Sequence, residues 1–254
     1  MTQLNSKHSL NETQNEENHT EVDGPDTVHL PEPNQRRWFS KTLSWVASIL
    51  VPVVLVLTGV RLLLTPAFLQ IEYRTPGFPP DSFGFTLEER LYWSNIALDY
   101  LLNEEDISFL ADLRFSNGLP VYNQRELAHM VDVKIVVTDA LNVWLASLGG
   151  LLVLGVWAWL GHWIPEYKRG LVRGGWLTLF LIGAIVILVL MAFGVFFVLF
   201  HEIFFPPGTW TFSFSDTLIR LFPERFWRDA FLMVGTFSIV GSILFVVLFK
   251  KRTV

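Results

Sequence analysis

The chain has 254 residues, 51% of them hydrophobic and 17% charged, with a mean hydropathy of +0.40. That balance excludes disorder over most of the length and an ordinary soluble globule. Cysteine is absent, which excludes a disulfide framework, thiolate metal or iron–sulfur sites and a cysteine nucleophile. The formal charge of −5 is unevenly placed: residues 1–35 hold seven acidic groups and one basic group, leaving 18 basic and 17 acidic groups over 36–254.

Taken in chain order, residues 1–41 read as a disordered acidic tail with a basic juxtamembrane end, Arg36, Arg37 and Lys41. The tail is rich in Asn, Thr, His and Pro and has no apolar periodicity. No secretory signal peptide is expected, because the first apolar run begins near residue 43 behind a long polar lead. Residues 42–254 then form a membrane domain. Its four apolar runs, about 43–64, 135–160, 176–200 and 230–249, each have about 20 residues or more, enough to cross about 30 Å of hydrocarbon as helices.

Orientation follows from Lys and Arg in the short flanks. Arg36, Arg37 and Lys41 precede the first run, Lys168, Arg169 and Arg173 crowd the loop at 161–175, and Lys250, Lys251 and Arg252 follow the fourth. These positions agree with one another and predict both termini on the cytoplasmic side. The main loops, 65–134 and 201–229, are then exoplasmic. The expected fold is all-α: a four-transmembrane-helix bundle carrying a small mixed exoplasmic cap.

Within the cap, Phe78-Pro79-Pro80-Asp81 and Gly84 predict turns, and Thr86 with Glu89 has capping-box spacing ahead of a helix through about Leu102. Asn117-Gly118 predicts a hairpin whose second strand Pro120 confines to an edge. Asn123 with Glu126 caps a helix that contains His129 and runs without a break into the second span. Pro206-Pro207-Gly208 turns the chain, and Thr209–Phe214 alternates polar and aromatic with strand period. Leu218, Leu221, Phe222, Phe226 and Trp227 predict an amphipathic stretch along the membrane surface, broken at Pro223. The plainer reading of so many aromatics is an interfacial belt.

Six histidines are present, of which His8, His19 and His29 lie in the tail and His162 at the cytoplasmic end of span two. His129 and His201 remain, both at the expected outer headgroup level on adjacent helices, where two imidazoles can meet as an acid–base pair or as a structural contact. At 100° per residue from His129, Asp132 falls at about 300°, Asp139 at about 280° and Asn142 at about 220°. An ionisable group in a span is costly, so Asp139 is expected to face a protein interior or a wet cavity, or to bond to Asn142 in helix packing. Arg61, near the outer end of span one, is a candidate for a lipid phosphate or a developing oxyanion, or simply snorkels. Lys134 points away from His129 and is expected to snorkel as well. No Gly-x-Ser-x-Gly elbow, Walker loop, His-Glu-x-x-His or dinucleotide fingerprint is present. His129, Asp132, His201 and Glu202 match no specific metal pattern, so neither metal nor cofactor is expected. No basic nucleic-acid surface is found.

Several strings combine into a resemblance: Glu72-Tyr73, Phe78-Pro79-Pro80-Asp81 with Gly84-Phe85-Thr86, Glu88-Glu89-Arg90, Glu126-Leu127-x-His129-Met130-x-Asp132-Val133-Lys134, His201-Glu202-x-Phe204-Phe205, and Asp216 through Phe226. In this order, on four spans, residues 40–250 resemble the bacterial lipoprotein intramolecular transacylase family and its uncharacterised integral-membrane relatives. The long acidic tail is not part of that pattern.

The resemblance implies a plasma-membrane enzyme acting on diacylglyceryl-modified lipoproteins among membrane lipids. It would move the sn-2 acyl chain to the α-amine of the lipidated N-terminal cysteine, giving the lyso form. It also implies that His129 and His201 are the essential pair, with no cofactor. Asp132 or Glu202 is expected to orient an imidazole, with Asp139 and Arg61 in support. Two alternatives stand beside this: a non-enzymatic outer-leaflet scaffold or lipid-binding protein, and a metal-dependent membrane hydrolase.

Overall fold

The structure, a computed structural model, describes residues 33–250. Of residues 1–41, expected to form a disordered acidic tail, 1–32 lie outside the described residues, and 33–41 are helical and continuous with the first span. Eight helices follow in order: α1 (Pro33–Leu63), α2 (Pro66–Glu72), α3 (Leu87–Leu102), α4 (Ser108–Ala111), α5 (Gln124–Leu160), α6 (Ile164–Phe204), α7 (Thr217–Leu221) and α8 (Glu224–Phe249). Four of them, α1, α5, α6 and α8, contain stretches long and apolar enough to cross a membrane. Their outward surfaces expose residues such as Leu152, Phe180, Met191 and Val247. A helix satisfies most of its backbone groups within itself, so such a surface is stable in lipid.

In lipid, apolar contact alone gives little preference for helix over tail, so small residues and polar bonds hold the bundle. Helix α6 lies against α1 and α8 through glycines. A Cβ on Gly174 would stand 2.6 Å from Val51 Cβ and 2.8 Å from the Ser48 carbonyl oxygen, and one on Gly175 2.9 Å from Val246 Cγ2. The Ser48 carbonyl is available because Pro52, four residues later in α1, has no N–H to donate to it. Buried hydroxyls complete the contact: Ser44 Oγ donates to Glu166 O (2.6 Å) and Ser48 Oγ to Gly170 O (3.1 Å). Arg173 Nη2 donates to Ser44 Oγ (2.6 Å), while its guanidinium lies 4.0 Å from the Trp45 ring. Helix α5 joins this core through Trp144 Nε1 donating to Thr58 Oγ1 (3.0 Å) and Tyr167 OH donating to Leu151 O (2.9 Å).

Beyond the bundle, α2, α3, α4, α7 and the first turns of α5 and α8 form a cap at one end. Both capping boxes form: Thr86 with Glu89 opens α3, and Asn123 with Glu126 opens α5. The cap core gathers Tyr100, Leu110, Val121, Tyr122, Leu218 and Leu221. Across it, Tyr73 OH donates to Leu221 O (2.9 Å), and Arg220 Nη2 pairs with Asp81 (2.9 Å). Burial works to raise the Asp81 carboxyl, but the Arg220 hydrogen bonds and the Phe85 backbone N–H outweigh it and hold it below its ordinary value.

The cap departs from the expected mixed character. Among the described residues there is no strand, and the Asn117-Gly118 reversal carries a single bridge, Arg114 with Pro120. Gly118 (φ +82°) supplies the turn, with Phe115 N donating to Leu119 O at 2.9 Å. Pro120 lacks the N–H that would extend the ladder. Among the described residues Thr209–Phe214 likewise joins no strand, and Thr211 O accepts instead from Arg125 Nη1 (3.3 Å). Leu218 and Leu221 are buried in the cap core, where an amphipathic stretch along the membrane surface was expected. The break at Pro223 falls as expected, and Phe226 belongs to α8. Lys134 does not snorkel: its Nζ donates to Asn103 Oδ1 (3.0 Å) and Glu105 O (2.6 Å), over the Tyr100 ring at 4.2 Å.

Candidate active site

His129 sits in the second turn of α5 because the Asn123–Glu126 box starts that helix ahead of it. Both Glu126 oxygens are used: Oε2 accepts from Asn123 N (2.8 Å) and Oε1 from Leu218 N (2.7 Å), the N–H of the second residue of α7. Thr217 Oγ1 donates to Val121 O beside it. The carboxyl of Glu126, 1% exposed, therefore ties α7 and the chain leading into it to the turn that carries His129.

His201 occupies the last turn of α6. That helix is interrupted at Ala192 (φ −149°, ψ 54°), and its final section runs beside the start of α8, where Phe196 and Phe200 pack on Phe231 at 4.7 and 5.1 Å. The two imidazoles stand face to face. Their ring centroids are 6.3 Å apart with 22° between planes, and each residue is 8% exposed.

Aromatic rings close the pair in. Phe205 lies 4.8 Å from His129 and 5.5 Å from His201, Phe212 lies 5.3 Å from His129, and Trp210 lies 4.8 Å from His201. His201 Nδ1 is 2.7 Å from the Phe197 carbonyl oxygen. A carbonyl only accepts, so Nδ1 carries the hydrogen and the neutral ring presents its lone pair at Nε2. His129 Nδ1 is buried and has no hydrogen-bond partner among the described residues. One ring therefore has a set tautomer and the other does not.

Comparison with known proteins fits this architecture. The sequence pattern of the lipoprotein intramolecular transacylase Lit family matches residues 45–227. The chain belongs to that family. It is therefore an enzyme of the intramolecular lipoprotein transacylase class, in a multi-pass membrane protein. It is also 30% identical over 204 residues to an uncharacterised protein of Aquifex aeolicus, covering 80% of this chain and 91% of that one. The solved membrane-integral transacylase Lit of Bacillus cereus has the same fold, with a TM-score of 0.70 at 22% identity over 84% of this chain and 95% of that one. A form of that protein with one histidine replaced by arginine matches with a TM-score of 0.66 at 20% identity, over 85% of this chain and 93% of that one.

The supporting residues expected from sequence are not drawn to the imidazoles. Asp132 is half-buried and Glu202 exposed, and neither has a hydrogen bond or ion pair among the described residues. The expected carboxylate orienter is thus replaced by a backbone carbonyl, which lies one helical turn before His201 and within direct reach. Asp139 and Asn142 are both exposed on α5 and do not bond to each other, so Asp139 neither faces an interior nor joins a packing bond. Arg61 Nη1 donates to Leu64 O (3.2 Å), three positions along the chain and just past the end of its own helix. Among the described residues no group of three or more His, Asp or Glu converges as a metal-ligand set.

Sequence reasoning missed the enclosure. The alternation over Thr209–Phe214 was its visible signal, and it is expressed in part without a sheet: Trp210 and Phe212 lie on the rings and Thr211 and Ser213 are exposed, but Phe214 is exposed too. Glu126 was legible as a capping residue, whereas its second bond, to Leu218, spans 92 positions and has no local signature.

Proposed function

We propose that this enzyme moves the sn-2 acyl chain of a diacylglyceryl-modified lipoprotein to the α-amine of that lipoprotein's own N-terminal cysteine, with His129 and His201 as the acid–base pair. The observation that carries this reading is the facing pair of sheltered imidazoles, one of them with an assigned lone pair. In ester aminolysis the neutral amine attacks the carbonyl carbon and sheds a proton, and the glyceryl oxygen gains one as it leaves. His201 Nε2 takes the amine proton, and the pair returns a proton to the departing oxygen through His129. Donor and acceptor belong to one molecule, so holding them in register supplies much of the acceleration.

The cap then belongs on the exoplasmic face of a bacterial plasma membrane, where lipidated N-termini lie, with both chain ends cytoplasmic. The basic groups flanking the opposite ends of the spans support that orientation.

Mass spectrometry of lipoprotein N-termini from cells carrying H129A or H201A tests the chemistry. Lyso-form peptides are expected to disappear in both, and their persistence at the parent level in either would refute the assignment. Because the chain has no cysteine of its own, single cysteines at the exposed Ser213 and Arg169 report orientation directly. An impermeant maleimide is expected to label the first and spare the second in intact cells. The reverse pattern would invert the topology.

A further inference from the structure

The imidazole pair moves protons but leaves one requirement of the reaction unmet. When the amine adds to the ester, the carbonyl oxygen becomes an oxyanion and needs a hydrogen-bond donor aimed at it. His201 cannot be that donor, since its Nδ1–H is held by the Phe197 carbonyl at 2.7 Å and its Nε2 is the base.

The rings packed on His201 are those of His129, Phe197, Phe200, Phe205 and Trp210. Among these described neighbours, Trp210 brings an N–H that no proton transfer requires. Its centroid is 4.8 Å from that of His201, and its Nε1 is sealed from solvent with no acceptor in reach among the described residues. An indole N–H can only donate, and a buried unpaired donor is disfavoured relative to a phenyl ring of similar packing. A substrate acceptor accounts for it.

We propose that Trp210 Nε1–H is the donor that holds the ester carbonyl oxygen and its developing negative charge, a role that rests on the acid–base reading of the histidines. As the N–C bond forms, the carbonyl π pair moves onto oxygen against the indole N–H. The C=O then re-forms while the bond to the glyceryl oxygen breaks, and that oxygen takes the proton released by the amine. The indole keeps its own proton throughout. Trp210 reaches this place because the chain at 210–212 places alternate side chains over the rings, Phe212 on His129 and Trp210 on His201, while Phe214 is exposed.

The test is W210F in the purified full chain, reconstituted in bilayer nanodiscs and assayed on a synthetic diacylglyceryl lipopeptide. The ring contact is retained and the N–H is lost. The expected result is a fall in kcat of about 100-fold, with KM within about threefold and the pH profile of kcat unmoved. Replacing Trp210 by its benzothienyl analogue, in which sulfur stands for N–H, keeps the ring volume and should give the same loss. A kcat within about twofold of the parent in either form overturns the proposal. H129A and H201A in the same assay separate the two readings. If both are inactive while W210F is fully active, only the indole role fails; if they are active, the acid–base reading fails first.

Discussion

Glu126→Gln isolates the tie between the α5 N-terminus and α7. In the parent, each carboxyl oxygen accepts one backbone N–H, from Asn123 at 2.8 Å and from Leu218 at 2.7 Å. An amide of the same shape has one accepting oxygen, so its NH2 must face one of those N–H groups. The loss of one bond contributes about 1 kcal/mol, and the buried donor left without a partner adds about 1–3 kcal/mol. The capping arrangement is the more local of the two and competes well for the remaining oxygen, so the Leu218 side is expected to open.

Hydrogen exchange followed by mass spectrometry reads this locally. A local destabilisation of about 2–4 kcal/mol predicts exchange of the Leu218 amide faster by about 30- to 700-fold, at 1.4 kcal/mol per tenfold. Peptides covering 214–222 should show it, while peptides from the centre of α6 should not. Activity should fall as well, since α7 continues the segment whose Trp210 and Phe212 cover the imidazoles. Unchanged protection across 214–222 in E126Q would refute the account of Glu126 as a positioning group.

Two other substitutions test different parts of the fold. Gly174→Ala should lower Tm by several degrees, because its Cβ meets Val51 Cβ at 2.6 Å and Ser48 O at 2.8 Å, an overpacking of about 1–3 kcal/mol. Gly183→Ala, with nothing within 4 Å, should leave Tm unchanged or raise it through helix propensity; equal effects at the two sites would contradict the packing of α1 on α6. Glu72 is buried at the α2–α8 junction, where burial first and then the neighbouring Asp229 push its carboxyl up to about 7 from 4.5. In the unfolded chain it ionises near its ordinary value, so the folded form binds more protons between about 4.5 and 7 and loses stability as pH rises through that window. Glu72→Gln is therefore expected to match the parent near pH 5 and to exceed it near pH 8 by about 1–2 kcal/mol after allowance for solvent screening. Thermal melts at the two pH values check this, and a difference that does not change with pH would exclude it.

The sequence by itself determined the parts of this protein that depend on local rules. Four apolar runs specify four spans, because a helix is the local way to satisfy backbone groups in hydrocarbon. Thr86–Glu89 and Asn123–Glu126 specify two helix starts, because both partners of a capping box lie within one turn. The long span that includes His129 was readable for the same reason. Scarcity also helped: with three histidines in the tail and one at the far end, His129 and His201 were the two left to meet.

Relations between distant positions came from packing and have no local signature. That the imidazoles face one another is a relation between α5 and the last section of α6, which packs against α8. That the Phe197 carbonyl holds His201 follows from a distance that helical angles on α5 cannot supply. The same angles placed Asp139 and Asn142 on the face of His129 but were silent on whether anything covered that face. The 209–214 alternation was visible, and its period normally signals a strand; with no partner strand among the described residues, the same period places Trp210 and Phe212 on the two histidines and leaves Phe214 exposed. Periodicity specifies which side chains point the same way. What they point at is set by the packing of segments far apart in the chain.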